Sequence, residues 1–259
     1  MTEMHVTRWG NSGPRIVLVH GGAQGSGGGA ERSFGRQKPL GDEGLQLILP
    51  DRPGHGLSPD PGRPDDADAD GTLVAGLIED GTHLVGHSFG GCVALDAAIK
   101  RPDAVRSLML IEPAMHMFAA GDPRVRPFLL GMLWMRLTTF SPRRLGEKIV
   151  VHLGIPPEVR GNAGPAEMAQ LGRAVGRIKL PSRATLAAQL AEIKRRSISF
   201  LVVTGGWSPA FEASSDRVAE AGGGTRAVIR SGHHFPQFIA DQFNPLLRDF
   251  LKQADSARP

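Results

Sequence analysis

The amino-acid sequence predicts an α/β fold, a mostly parallel sheet flanked by helices with an inserted helical cap. Three observations carry this reading. Short apolar runs alternate with helical stretches along the chain. The alternation breaks once, from Ala114 to Arg196, where helical material replaces strand signal, and then resumes. Each glycine-rich or polar motif follows the carboxyl end of a predicted strand, where sheets of this kind bind ligands.

The first strand is expected over about Met4 to Trp9, joined through Gly10-Asn11-Ser12-Gly13-Pro14 to a buried strand at Ile16-Val17-Leu18-Val19. His20-Gly21-Gly22 stops that strand. Leu45 to Leu49 reads as another buried strand, stopped by Pro50-Asp51-Arg52-Pro53-Gly54-His55-Gly56. The acidic, proline-containing stretch Pro59 to Gly71 reads as a surface loop, and Leu73 to Glu79 as a helix. Thr82 to Val85 is a strand running into Gly86-His87-Ser88-Phe89-Gly90, followed by a helix from about Gly90 to Lys100. Strands follow at Val105 to Ile111, Ile198 to Thr204 and Arg226 to Arg230, with a last helix from about Gln237 to Lys252. The expected division is a core of 1–113 and 198–259 and a cap of 114–197.

A chain of 259 residues suits one large domain carrying a lid. Hydrophobic residues at 41% and charged residues at 22% describe a globular rather than a disordered chain. No apolar run reaches the ~18 residues that a membrane-spanning helix needs. The first residues lack the basic end and apolar stretch of a secretory signal, so a cytoplasmic location and no membrane partner are expected. The lone Cys92 excludes an internal disulfide and cysteine-rich zinc sites. A formal charge of +4 with scattered arginines offers no basic stripe for nucleic acid. A homodimer through cap surfaces or edge strands stays open.

Gly86-His87-Ser88-Phe89-Gly90 fits Gly-x-Ser-x-Gly. The pattern alone is weak, but here a strand precedes it and a helix follows, which is the context of a nucleophile elbow. Glycines let the chain turn sharply and lift the serine hydroxyl to the top of the sheet, near a helix N-terminus.

On these residues the chain resembles an α/β-hydrolase, from about Ile16 to Leu251. His20-Gly21-Gly22 stands where that family places an oxyanion-hole loop. Asp51 to Ser58 resembles the loop after the next core strand, and Ser88 precedes a late histidine in the family's chain order. The resemblance implies a serine nucleophile activated by a histidine base. His233 and His234 both offer themselves; the family's His-Phe-Pro register favours His234. His20 and His55 are expected to order their loops, and His87 to be structural.

Many such hydrolases carry the third member, an aspartate before a proline, after the strand that ends here at Thr204. Ser208 occupies that position and has no charge to support an imidazolium. Glu112, in Leu110-Ile111-Glu112-Pro113, 24 residues past Ser88, is the expected acid. The arrangement resembles that of zearalenone-lactonase-like hydrolases. Glu212 and Asp216 are the fallbacks. The oxyanion hole is expected from the backbone amides of Gly22 and Phe89. The Gly25 to Gly29 run imitates a phosphate loop but lacks the Gly-Lys-Ser/Thr ending.

Cap methionines and aromatics suit an apolar ligand. Met115, Phe118, Met132, Trp134 and Trp207 are the candidate substrate contacts. Arg143, Arg144 and Lys148 read as a solvated face. The expected activity is hydrolysis of an ester or lactone of a small, fairly hydrophobic molecule through an acyl-enzyme, using water and needing no metal or organic cofactor. Thioester, amide or carbon–carbon hydrolysis, and a non-catalytic ligand-binding role, are the rivals.

Overall fold

A computed structural model describes residues 4–24, 29–160 and 163–257. Seven strands, β1 (Val6–Trp9), β2 (Arg15–Val19), β3 (Gln46–Pro50), β4 (Thr82–His87), β5 (Val105–Ile111), β6 (Ser199–Thr204) and β7 (Thr225–Val228), form one sheet in the order β1-β3-β2-β4-β5-β6-β7. Only β1 runs antiparallel, against β3.

The helices in chain order are α1 (Ala30–Phe34), α2 (Pro39–Asp42), α3 (Ala67–Ala75), α4 (Phe89–Lys100), α5 (Arg126–Thr138), α6 (Pro142–His152), α7 (Pro157–Arg160), α8 (Pro165–Val175), α9 (Arg183–Arg195), α10 (Pro209–Gly222) and α11 (Ala240–Ala257). Period-two alternation sorts the strand residues between two cores. Val17, Val19, Leu84, Leu108, Leu110, Phe200 and Val202 face a layer holding α3, α4, α9 and α10. Ile16, Leu18, Val85, Met109, Ile111, Leu201 and Val203 face the opposite layer, with Phe34 of α1 and Phe243, Leu247 and Leu251 of α11. Both sheet faces are covered, which is why the strands read as continuous apolar runs.

Two sequence expectations change. The acidic stretch before Leu73 is not all loop. Asp66 caps α3 by accepting from the Asp68 and Ala69 amides, and Asp68 and Asp70 occupy its first turn, where negative charge favours the helix dipole. The expected cap, 114–197, takes in α9, yet Leu186, Leu190 and Ile193 of that helix are buried in the core beside α4. Helices α5 to α8 lie before it, with Gly146 of α6 and Gly172 of α8 permitting close backbone contact between those helices. Of the Gly25 to Gly29 run weighed against a phosphate loop, residues 25–28 lie outside the described residues.

Candidate active site

Ser88 stands between β4 and α4 with φ 55° and ψ −122°, a strained conformation for a residue with a side chain. The surrounding backbone accounts for it. The Ser88 amide donates to the Ile111 carbonyl (2.8 Å), and the Ser88 carbonyl accepts from Gly91 and Ala114 (2.9 and 3.1 Å). Gly86 and Gly90 are needed for the turn. A Cβ on Gly86 would lie 2.7 Å from the Gly91 Cα, and one on Gly90 would overlap the Val19 and His20 carbonyls.

Glu112 directly follows β5, in the left-handed region at φ 46°. It is wholly buried. Its Oε1 accepts from the Gly205 amide (2.6 Å), and its Oε2 accepts from the Trp207 indole N–H (2.9 Å) and from His234 Nδ1 (3.1 Å). Burial pushes its carboxyl up to about 7, against the Gly205 and Trp207 donors that pull it down. Burial pushes the His234 imidazole down to about 3, with the neighbouring His233 adding to it. Neutral His234 therefore donates from Nδ1 and keeps a lone pair on Nε2. That atom is buried and has no hydrogen-bond partner among the described residues. The His234 loop is pinned from two sides. His87 Nε2 donates to the His234 carbonyl (2.8 Å), and the His234 amide donates to the carbonyl of Gly154 in the cap (3.1 Å).

His233 turns elsewhere, its Nδ1 accepting from the Phe235 amide (3.1 Å). Glu212 is bound to Thr204, the Gly206 amide and Arg226. Asp216 pairs with Arg226 in a more exposed position. Ser208 precedes the first turn of α10 and makes no side-chain capping bond. Of the carboxylates considered, Glu112 is the one bonded to a late histidine.

The His20-Gly21-Gly22 loop lies directly against Ser88. A Cβ on Gly21 would stand 2.7 Å from the Ser88 Cβ. Buried Arg52 holds this loop, a role that sequence reasoning missed. Its guanidinium donates to the His20, Gly21 and Gly22 carbonyls (3.0, 3.2 and 2.9 Å). Asp65 and Asp70 balance its charge at 2.7 and 2.9 Å. Burial works against the Asp65 charge, yet Arg52 and His55 hold its carboxyl well below the usual range. Carbonyls turned toward Arg52 turn the amides of Gly22 and Ala23 away from it, because N–H and C=O oppose each other across a trans peptide. Gly22, at φ 84°, needs the freedom of glycine there. The Phe89 amide opens α4.

Ser88, Phe89 and the His20–Ala23 loop border a cavity of about 480 Å³. Ser88, Phe89, Gly22, Met132, Phe128 and Leu171 are among its lining residues. Of the five candidate substrate contacts, only Met132 lines it. Met115 is buried in the core, and Phe118 packs against that core. Trp207 spends its indole on Glu112. Trp134 is 68% exposed on the outer face of α5. These four were misplaced because helical phase and loop path, not residue type, decide what faces a cavity. His116 lines the cavity instead, packed between Phe128 and Phe211, and burial pushes its imidazole down to about 3. No group of three or more metal-ligating side chains occurs among the described residues.

Comparison with known proteins agrees with this fold. The model for the alpha/beta hydrolase family matches residues 16–246. Lipase LipV of Mycobacterium tuberculosis is 37% identical over 136 residues, covering 51% of this chain and 48% of that protein. The chain thus spans about half or less of the length of the curated relatives it matches. An esterase from Exiguobacterium antarcticum superposes with a TM-score of 0.67 at 20% identity, covering 97% of this chain and 96% of that one. Est816, described as an N-acyl homoserine lactone degrading enzyme, does so with a TM-score of 0.62 at 20% identity, covering 96% and 97%. At those identities the two structures speak for the fold alone.

Proposed function

The chain belongs to the alpha/beta hydrolase family, and from that premise we propose that it is a serine hydrolase of small, fairly hydrophobic carboxylic esters or lactones. Lipase and esterase relatives support ester hydrolysis in general. The observation that supports the specific reading is the Glu112–His234 bond, which leaves Nε2 of a neutral imidazole without a partner among the described residues, in a loop that His87, the neighbour of Ser88, holds by its carbonyl.

In this mechanism Ser88 Oγ attacks the substrate carbonyl carbon while His234 Nε2 takes the hydroxyl proton. The Glu112 carboxylate fixes the Nδ1–H tautomer and stabilises the imidazolium that forms. The tetrahedral oxyanion rests on the amides of Phe89 and of the Gly22 loop. As the carbonyl re-forms, the bond to the alcohol oxygen breaks, and His234 returns the proton to that oxygen. In a lactone the freed alcohol stays on the acyl chain. Water, deprotonated by His234, then attacks the acyl-enzyme, and Ser88 leaves with its proton restored. The cavity is lined mostly by apolar side chains, with Arg32 and Arg136 also on its lining, and favours a substrate with a largely apolar body.

The test is intact-protein mass after exposure to a fluorophosphonate, together with p-nitrophenyl butyrate turnover, for wild type and Ser88→Ala. One phosphonyl adduct and turnover on wild type alone are expected. A wild-type protein that neither labels nor turns over the ester would overturn the proposal.

A further inference from the structure

Helix α5 is apolar on nearly every side, yet none of its thirteen residues is buried. Phe128, Leu129 and Met132 turn toward the cavity. Leu130, Leu133, Trp134 and Leu137 turn to solvent, each more than half exposed, and Phe140 continues the patch at 92% exposure. A helix apolar all round normally has a partner on each side. Here the cavity supplies one side only.

The charges of the cap say what covers the other side. Residues 114–180 carry ten basic and four acidic side chains, a formal +6 against +4 for the whole chain, so the remainder of the molecule is net negative at −2. Arg126 begins the exposed face of α5, at helical spacing from Leu130, Leu133, Trp134 and Leu137. Arg144 and Lys148, on the next helix, are also exposed. The side chains of Arg126 and Arg144 enter no ion pair among the described residues. An apolar stripe bearing Trp and Leu, bordered by arginine and lysine, matches the chemistry of an anionic bilayer surface. A second copy of this chain would instead set the same positive cap against itself. The patch also joins the cavity, since Leu133 lines both the exposed groove on α5 and the cavity above Ser88.

We propose that the outer face of α5 docks the protein peripherally on anionic phospholipid surfaces. It departs from the expectation of no membrane partner, which rested on the lack of a spanning segment and of a secretory signal, neither of which peripheral docking needs. It does not depend on the hydrolytic reading, because docking is measured without turnover.

The experiment uses full-length Ser88→Ala protein, which removes any lipid hydrolysis, and sedimentation with vesicles of phosphatidylcholine and phosphatidylglycerol in equal parts. The parent should pellet with these vesicles, less with pure phosphatidylcholine, and less as salt shortens the Debye length to about 3 Å at 1 M. Adding Trp134→Ser and Leu137→Ser should weaken partitioning by at least about tenfold. Far-UV circular dichroism and, in the wild-type background, unchanged turnover of a short-chain ester check that the doubly substituted protein is folded. Arg126→Glu with Arg144→Glu should remove the preference for anionic lipid. Absence of pelleting, equal pelleting of parent and variant, or indifference to lipid charge would each overturn the proposal. So would a dimer that the same Trp134 and Leu137 substitutions dissociate without any vesicle binding.

Discussion

Glu112 Oε2 lies 3.1 Å from His234 Nδ1, although 122 positions separate the two residues in the chain. The glutamate leaves the end of β5, while the usual acid position, after β6, holds Ser208. The extra methylene and a left-handed backbone at Glu112 carry the carboxylate across to the neighbouring strand end, where the Gly205 amide receives it.

Glu112→Gln should lower kcat by roughly 10³–10⁴-fold, because an amide can hold the imidazole in the wrong tautomer. Ser208→Ala should leave kcat near wild type. Steady-state kinetics on one soluble ester decide between them, and a wild-type-like Glu112→Gln enzyme would move the acid elsewhere.

His234→Ala should abolish turnover, and His233→Ala should reduce it only modestly, since His233 Nδ1 is spent on the Phe235 amide. Fluorophosphonate labelling rates give a second readout, falling for the first variant and not for the second.

The proposed mechanism needs Glu112 ionised and His234 neutral, and the pair titrates as a unit. With burial pushing the carboxyl up to about 7, kcat/KM should fall as pH drops through that region. Trp207→Phe removes a donor that favours the carboxylate, so its acidic limb should move to higher pH. A limb that moves down or stays put would contradict the role given to the indole.

Arg52→Met should leave buried Asp65 with only His55 and the Gln24 amide, and buried Asp70 with only Arg63, among the described residues, at a cost of up to about 3–5 kcal/mol of stability. Arg52→Lys keeps the charge but not the fork that gathers three carbonyls. It should fold and lose up to about 10²-fold in kcat as the oxyanion loop loosens. Urea midpoints and kcat measured together separate the two effects.

Burial lowers His20, His55, His87, His116 and His234 below the ordinary histidine range. Each binds its proton more readily unfolded than folded, so its contribution to stability is present above pH 6.5 and is lost as pH falls toward the folded value. Glu112, raised to about 7, acts in the opposite sense between pH 4.5 and 7. The five histidines outweigh it, so urea midpoints should drop between pH 6.5 and 4. For His116→Phe the slope should be shallower by about 1.4 kcal/mol per pH unit. An unchanged slope would mean that His116 does not titrate on unfolding.

The alternation of apolar runs and helices, the Gly-x-Ser-x-Gly turn and the late His-Phe-Pro were legible in the sequence because each is a local pattern with a local physical cause. A strand buried on both faces must be apolar throughout, and a sharp elbow must have glycines beside it. Glu112 was legible as the histidine's partner, since Ser208 cannot carry charge and Glu112 follows the adjacent strand, and the structure bonds it to His234. What depended on distant residues was not. Arg52 looks like any loop arginine until folding sets it under His20, Gly21 and Gly22 and between Asp65 and Asp70. Met115, Phe118, Trp134 and Trp207 looked like pocket residues, and only packing decided that two enter or line the core, one supports Glu112 and one faces solvent. Composition tells which side chains a chain has available for a pocket. The phase of each helix and the path of each loop over the sheet decide which of them reach it.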